Sequence, residues 1–128
     1  MSSQKISIGV IGVGHLGQHH VKHYSNMNNI NLLGVYDSDS VRGKIIANTY
    51  DTKYFEEANE LMQKCDAISI VTPTKSHYDV ANSAISNFNC NVFIEKPITE
   101  TIIQADELIE EAKKRGLIIQ VGHIERLN

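Results

Sequence analysis

The sequence predicts an α/β fold in which a doubly wound parallel sheet is covered by helices on both faces. Two observations carry that prediction. Short apolar, β-branched runs alternate with longer segments of helical periodicity along all 128 residues. Several of those runs, such as residues 67–71 (AISIV) and 117–121 (LIIQV), are apolar at nearly every position, as parallel strands buried on both faces are. Right-handed crossovers between such strands leave few topologies, and the strand order 3-2-1-4-5-6 is the natural one.

Each element follows from its residues. Residues 6–11 (ISIGVI) form a first strand that ends in glycines, and the glycines open a helix over about 15–27. Residues 32–36 (LLGVY) form a second strand ending at Asp37. A helix over 38–50 follows, with Ser38 or Asp39 as its N-cap. Lys53 and Tyr54 make a brief third strand before a helix over 56–64. Residues 67–71 are the fourth strand, stopped by Pro73, and a helix runs from Ser76 or His77 to about Asn87. Residues 91–94 (NVFI) are the fifth strand. Residues 99–115 read as a long amphipathic helix with Ile102, Ile103, Leu108, Ile109 and Ala112 on its apolar side and Gly116 at its C-cap. Glu107, Glu110, Glu111, Lys113, Lys114 and Arg115 read as its solvated face. Residues 117–121 are the sixth strand.

Composition narrows the function. The length suits one domain with a core of its own. Twelve Lys and Arg against 15 Asp and Glu give a net charge of -3, which argues against a nucleic-acid surface. No apolar run is long enough to cross a bilayer, and the short polar start does not read as a signal peptide. The two cysteines, Cys65 and Cys90, lack CxxC spacing and read as buried reduced thiols, which suits the cytoplasm.

The first site is Gly12-Val13-Gly14-His15-Leu16-Gly17, a GxGxxG that follows a strand and opens a helix. Gly12 permits a tight turn, Gly14 leaves room for a pyrophosphate, and Gly17 lets helix and strand pack closely. The helix N-terminus offers free N–H groups to phosphate. This is the Rossmann-type arrangement. Asp37, 20 residues after Gly17, stands where a carboxylate accepts hydrogen bonds from the adenosine ribose hydroxyls. It would repel the 2′-phosphate of NADP, so NAD is the expected cofactor. Arg42 and Lys44 nearby keep NADP open.

The second site lies beyond the fourth and fifth strands. Thr72-Pro73-Thr74-Lys75-Ser76-His77 follows one, and Glu95-Lys96-Pro97 the other. A lysine there would stand near the nicotinamide, and partial burial would ready it for proton transfer. Glu95 would orient Lys96 or a ribose hydroxyl. The alternative is a solvated Glu-Lys pair before a turn. Other residues read as structural. His15, His19 and His23 recur at i, i+4, but no metal site is expected of them. His20 reads as a packing residue, Tyr24 and Met27 as core, and His123 as lining the cleft or capping the last strand.

These motifs together resemble the N-terminal domain of the Gfo/Idh/MocA oxidoreductases. The matching segments are IGVIGVGHLGQHH (8–20), VYD (35–37), VTPTKSHYDVA (71–81), IEKPIT (94–99) and VGHIERLN (121–128). The resemblance implies Lys96 as the catalytic lysine, Glu95 at the nicotinamide end, and Pro97 in a turn with a cis Lys-Pro bond. It implies that Gly12, Val13, Gly14, His15, Leu16, Gly17, Asp37 and Ser38 bind the cofactor's adenosine and phosphates. Thr72, Pro73, Thr74 and His77 would line its ribose and diphosphate side, with Arg126 in the active site. The substrate implied is a sugar, nucleotide-sugar or cyclitol alcohol, and VGHIERLN resembles the nucleotide-sugar branch. Family members carry a second α/β domain that binds substrate and forms the oligomer interface. Nothing in these 128 residues corresponds to it, so this chain by itself is expected to bind cofactor without efficient turnover and to self-associate where that domain would pack. A non-catalytic dinucleotide-binding module or a truncated enzyme remnant is the alternative. A related amino-acid or dihydrodipicolinate dehydrogenase half would lack the Glu-Lys-Pro triplet.

Overall fold

Six strands form one parallel sheet in the order β3-β2-β1-β4-β5-β6, as the alternating pattern predicts. A computed structural model of the chain describes residues 5–122. The strands are β1 (Ile6–Ile11), β2 (Ile30–Tyr36), β3 (Lys53–Tyr54), β4 (Ala67–Ile70), β5 (Asn91–Glu95) and β6 (Ile119–Gly122). The helices between them are α1 (His15–Ser25), α2 (Ser40–Thr49), α3 (Ala58–Lys64), α4 (His77–Phe88) and α5 (Ile102–Arg115), with a 3-10 turn at Thr74–Ser76. β1 pairs with β2 on one side and β4 on the other, so β1 and β4 lie side by side at the centre.

The sheet separates two apolar layers. Val10, Val35 and Ile8 pack with Val21 and Tyr24 of α1 and with Ile46 and Ala47 of α2. Ile11, Ile68, Ile70, Val92 and Ile94 pack with residues of α3, α4 and α5. Alternation along each strand sends neighbouring residues to opposite layers. The central strands therefore need apolar residues at consecutive positions.

Four expectations are corrected. The last helix starts at Ile102 rather than Thr99: Thr101 is its N-cap and accepts from the Gln104 N–H at 3.2 Å. Thr99 is instead buried, its hydroxyl donating to the Thr101 carbonyl at 2.6 Å. Only Leu108 and Ala112 of the proposed apolar side are buried, while Ile102, Ile103 and Ile109 are exposed. The sixth strand is not buried on both faces: among the described residues it lies at the sheet edge, where Gln120 and Val121 are exposed. An edge strand has one neighbour only, and apolar composition cannot report that. The helix after Asp37 begins at Ser40 with Asp39 as N-cap, its carboxylate accepting from the Arg42 N–H at 3.2 Å. Gly116, in the left-handed region at φ 69°, ends α5 as expected.

Candidate functional site

The carboxyl ends of β1, β2 and β4 open onto one cleft of about 550 Å³. In an open parallel sheet this crevice, where the winding changes direction, is where ligands sit. Gly12 and Gly14 wall it from the glycine turn, Tyr36, Asp37 and Ser38 from the end of β2, and Arg42 from α2. Thr72, Pro73 and Ser76 close the side after β4.

The glycine turn is built as its spacing requires. Gly12 has φ 95°, and a side chain there would come within 2.7 Å of the Val71 carbonyl oxygen. Such a backbone conformation favours glycine. A Cβ on Gly17 would overlap the Gly12 carbonyl oxygen, so α1 can approach β1 only without one. Gly14 differs. It is the N-cap of α1, and a Cβ there would meet nothing within 4 Å. Its missing side chain leaves space in the cleft rather than space for packing. The N–H groups of the first helical turn lack intrahelical acceptors and carry the positive end of the helix dipole. A diphosphate fits this cradle in size, charge and donor chemistry.

Asp37 is buried at the other end of the cleft. Its Oδ2 accepts the Val13 N–H at 2.7 Å and its Oδ1 accepts the Asp39 N–H at 2.8 Å. Arg42 Nη2 donates to the two carboxylate oxygens at 3.1 and 3.4 Å. The Tyr54 hydroxyl donates to the Asp37 carbonyl at 3.0 Å. Because Asp39 supplies the helix cap, the Asp37 carboxylate is free of that task and faces the cleft with Arg42. Adenosine ribose hydroxyls fit an acceptor of this kind. Lys44 lies apart, 3.8 Å from the Glu56 carboxylate.

Of the remaining candidates, those among the described residues fall outside the cleft walls. Val13 and Gly17 are buried behind the turn, and His15 and Leu16 are exposed on the first turn of α1. Thr74 opens the 3-10 turn. His77 is buried, with Nδ1 2.9 Å from the Pro97 carbonyl and Nε2 2.9 Å from the Thr72 carbonyl. It thereby ties together the two turns that follow β4 and β5. The Lys96–Pro97 bond is cis. Lys96 itself is exposed, so the partial burial expected for it is not supplied by the described residues. Arg126 and His123 lie outside the described residues.

His20 proves to be more than a packing residue. It is fully buried beneath α1, and its Nδ1 lies 2.8 Å from the Ser69 hydroxyl. Its Nε2 lies 2.9 Å from Glu95 Oε2. The sequence signal was available, since a polar residue stood on the buried side of α1 three residues after Gly17, but its partners are 49 and 75 residues away. Glu95 is also buried, turned toward α1 rather than toward solvent beside Lys96. His15 and His19 touch edge to face at 5.1 Å. Among the described residues no group of three or more metal-ligating side chains converges. No helix among them is long and apolar enough to cross a membrane.

A glycine cradle at a helix N-terminus, facing a carboxylate at the end of the neighbouring strand, defines a dinucleotide-binding α/β domain. Comparison with known proteins gives the family. Residues 6–123 match the Gfo/Idh/MocA model, the oxidoreductase family with an NAD-binding Rossmann fold, and the chain belongs to that family. It is 40% identical over 121 residues to UDP-N-acetylglucosamine 3-dehydrogenase of Acidithiobacillus ferrooxidans, covering 94% of this chain and 37% of that one. It is 30% identical over 128 residues to scyllo-inositol 2-dehydrogenase (NAD(+)) of Bacillus subtilis, again covering 97% of this chain and 37% of the relative. A solved structure of the Acidithiobacillus enzyme superposes with a TM-score of 0.90 at 38% identity, over 98% of this chain and 40% of that chain. The chain thus spans well under half the length of these relatives, and the part it matches is their NAD-binding domain.

Proposed function

We propose that this chain is the cofactor-holding domain, over residues 1–128, of an NAD-dependent dehydrogenase acting on a sugar, nucleotide-sugar or cyclitol alcohol. The cleft that places Gly14 opposite Asp37 carries the reading. When bound there, NAD supplies the hydride acceptor. The α1 N-terminus and the glycine turn hold the diphosphate, and Asp37 with Ser38 accepts from the adenosine ribose. Thr72, Pro73, Thr74 and His77 border the nicotinamide side. Lys96 takes the proton of the substrate hydroxyl as its carbon is oxidised, and returns it in the reverse direction. Glu95 and Pro97 hold the lysine in place, and Arg126 belongs to the same site. The substrate class is supported by what the relatives are called, a nucleotide-sugar dehydrogenase and an inositol dehydrogenase. In the complete protein a second domain would supply substrate contacts.

The protein works in the cytoplasm, a reading supported by two free, buried cysteines. The exposed Ile109 and Ile118 near the edge strand, with Ile102 and Ile103 exposed at the start of α5, support self-association of this chain. The exposed position of Lys96, outside the cleft walls, favours a second reading: a dinucleotide-binding module that does not turn over by itself.

Titration with NADH and, separately, NADPH tests the reading. The sequence has no tryptophan, so nicotinamide fluorescence is read with little interference. Saturable binding with a preference for NADH is expected. Failure of a folded sample to bind either would overturn the proposal. Oxidation of UDP-N-acetylglucosamine or scyllo-inositol by this chain would exclude the module reading.

A further inference from the structure

The helix that begins at the glycine cradle is joined inside the molecule, through the buried His20, to the strand end that leads into Lys96. Glu95 is the last residue of β5, and it shares a sheet face with Phe93. That face looks toward α1, where the His20 ring packs 5.4 Å from the Phe93 ring. The Glu95 carboxylate is 6% exposed and His20 is 0% exposed, so neither depends on water for its hydrogen bonds. A desolvated carboxylate is costly unless donors face it. His20 Nε2, at 2.9 Å, faces it.

The partners fix the proton. A carboxylate only accepts, so Nε2 must carry hydrogen. The Ser69 hydroxyl, 2.8 Å from Nδ1, can donate to that nitrogen. Both ring nitrogens are then satisfied by a neutral imidazole. Burial holds the His20 imidazole below its ordinary range, against the opposing pull of Glu95 and with His23 and His19 adding repulsion to the charged form. Three elements meet at this ring: α1 through His20, β4 through Ser69 and β5 through Glu95. α1 is itself seated on the glycine turn through Gly17. The ring therefore ties α1, which opens at the glycine turn, to the end of β5, which leads into Lys96.

We propose that His20 is a positioning residue, which holds the Glu95 carboxylate and with it the Glu95-Lys96-Pro97 turn at the nicotinamide end of the cleft. The inference rests on the dinucleotide-binding reading. It makes an uneven demand on a ligand: the nicotinamide half feels His20 through Glu95, and the ADP-ribose half does not.

The test compares NADH with ADP-ribose on the 128-residue chain carrying His20→Leu or His20→Gln. Leucine removes the donor that His20 supplies to Glu95, whereas the glutamine amide restores one. His20→Leu should weaken NADH about tenfold or more while ADP-ribose binds as before, and His20→Gln should recover most of the loss. Equal losses for both ligands, or no rescue by glutamine, would mean a merely structural role and overturn the proposal. If the wild-type chain binds neither ligand, the dinucleotide reading falls and the positioning role with it. Should the variants not fold, ¹⁵N spectra of wild-type His20 decide: a proton on Nε2 upholds the contact, and its absence overturns it.

Discussion

The buried Asp37 carboxylate accepts the backbone N–H of Val13 at 2.7 Å, so the end of β2 holds the glycine turn in place as well as facing the cleft. One residue thus serves both the fold and the choice of ligand. Asp37→Ala should lower stability by about 1–3 kcal/mol, because a buried N–H loses its acceptor, and should reduce the preference for NADH over NADPH. Asp37→Asn keeps an acceptor and removes the charge. It should retain only part of the stability, because its one amide oxygen can accept either the Val13 or the Asp39 N–H while Nδ2 faces the other, yet still relax the preference. Denaturant unfolding and paired cofactor titrations measure the two effects; an unchanged preference in both variants would show that another residue reads the ribose.

The glycines of the turn separate in the same way. Gly17→Ala drives a methyl group into the Gly12 carbonyl and should unseat α1, with a large fall in Tm. Gly14→Ala meets no protein atom within 4 Å. Its Tm should stay within a few degrees of wild type, with NADH affinity reduced at least tenfold as the methyl group fills the cradle. Retained affinity in folded Gly14→Ala would show that the diphosphate does not approach there.

His77 bridges the Thr72 and Pro97 carbonyls at 2.9 Å each. An imidazole with one ring N–H donates to one of the two carbonyls, and replacement by leucine removes that donor together with the ring's contact with the other. The expected cost is about 1–3 kcal/mol, shared between two turns, with greater local exchange of amides in residues 72–77 and 96–99 than elsewhere. Hydrogen exchange confined to one of the turns would show that the other is held independently.

Burial pushes the Cys65 thiol up to about 12 and the Cys90 thiol up to about 11, from an ordinary value of 9.0. Cys90 also donates to the Met62 carbonyl at 3.3 Å and the Cys65 carbonyl at 3.4 Å. Both thiols stay protonated in the folded chain at neutral pH, and should react with thiol reagents only on unfolding. The linkage has a definite sign. Above pH 9 the unfolded chain releases these protons while the folded chain keeps them, so the contribution to stability is full below about 9 and falls toward 11–12. Rapid labelling of native protein at pH 8 would contradict the burial of both groups.

Much of the site is legible in the sequence. GxGxxG after a β-branched strand locates the cradle, because tight turn, open cradle and close packing each need glycine at a fixed spacing. Asp37 follows from its place at the end of the second strand. The division of labour between Asp37 and Asp39 was not legible, since both residues can cap a helix and only backbone geometry assigns the cap. The pairing of His20 with Glu95 was hidden by 75 residues of intervening chain.

The sequence by itself determined the strand order, the helix order and the place of the phosphate cradle, because each is encoded by local periodicity and by glycines a few residues apart. The tertiary structure alone decided which polar side chains meet in the interior, which face of α5 is covered, and that β6 is an edge. Those outcomes depend on neighbours brought together from distant parts of the chain. Burial and hydrogen-bond partnership belong to the packed assembly of elements, and no single element carries them.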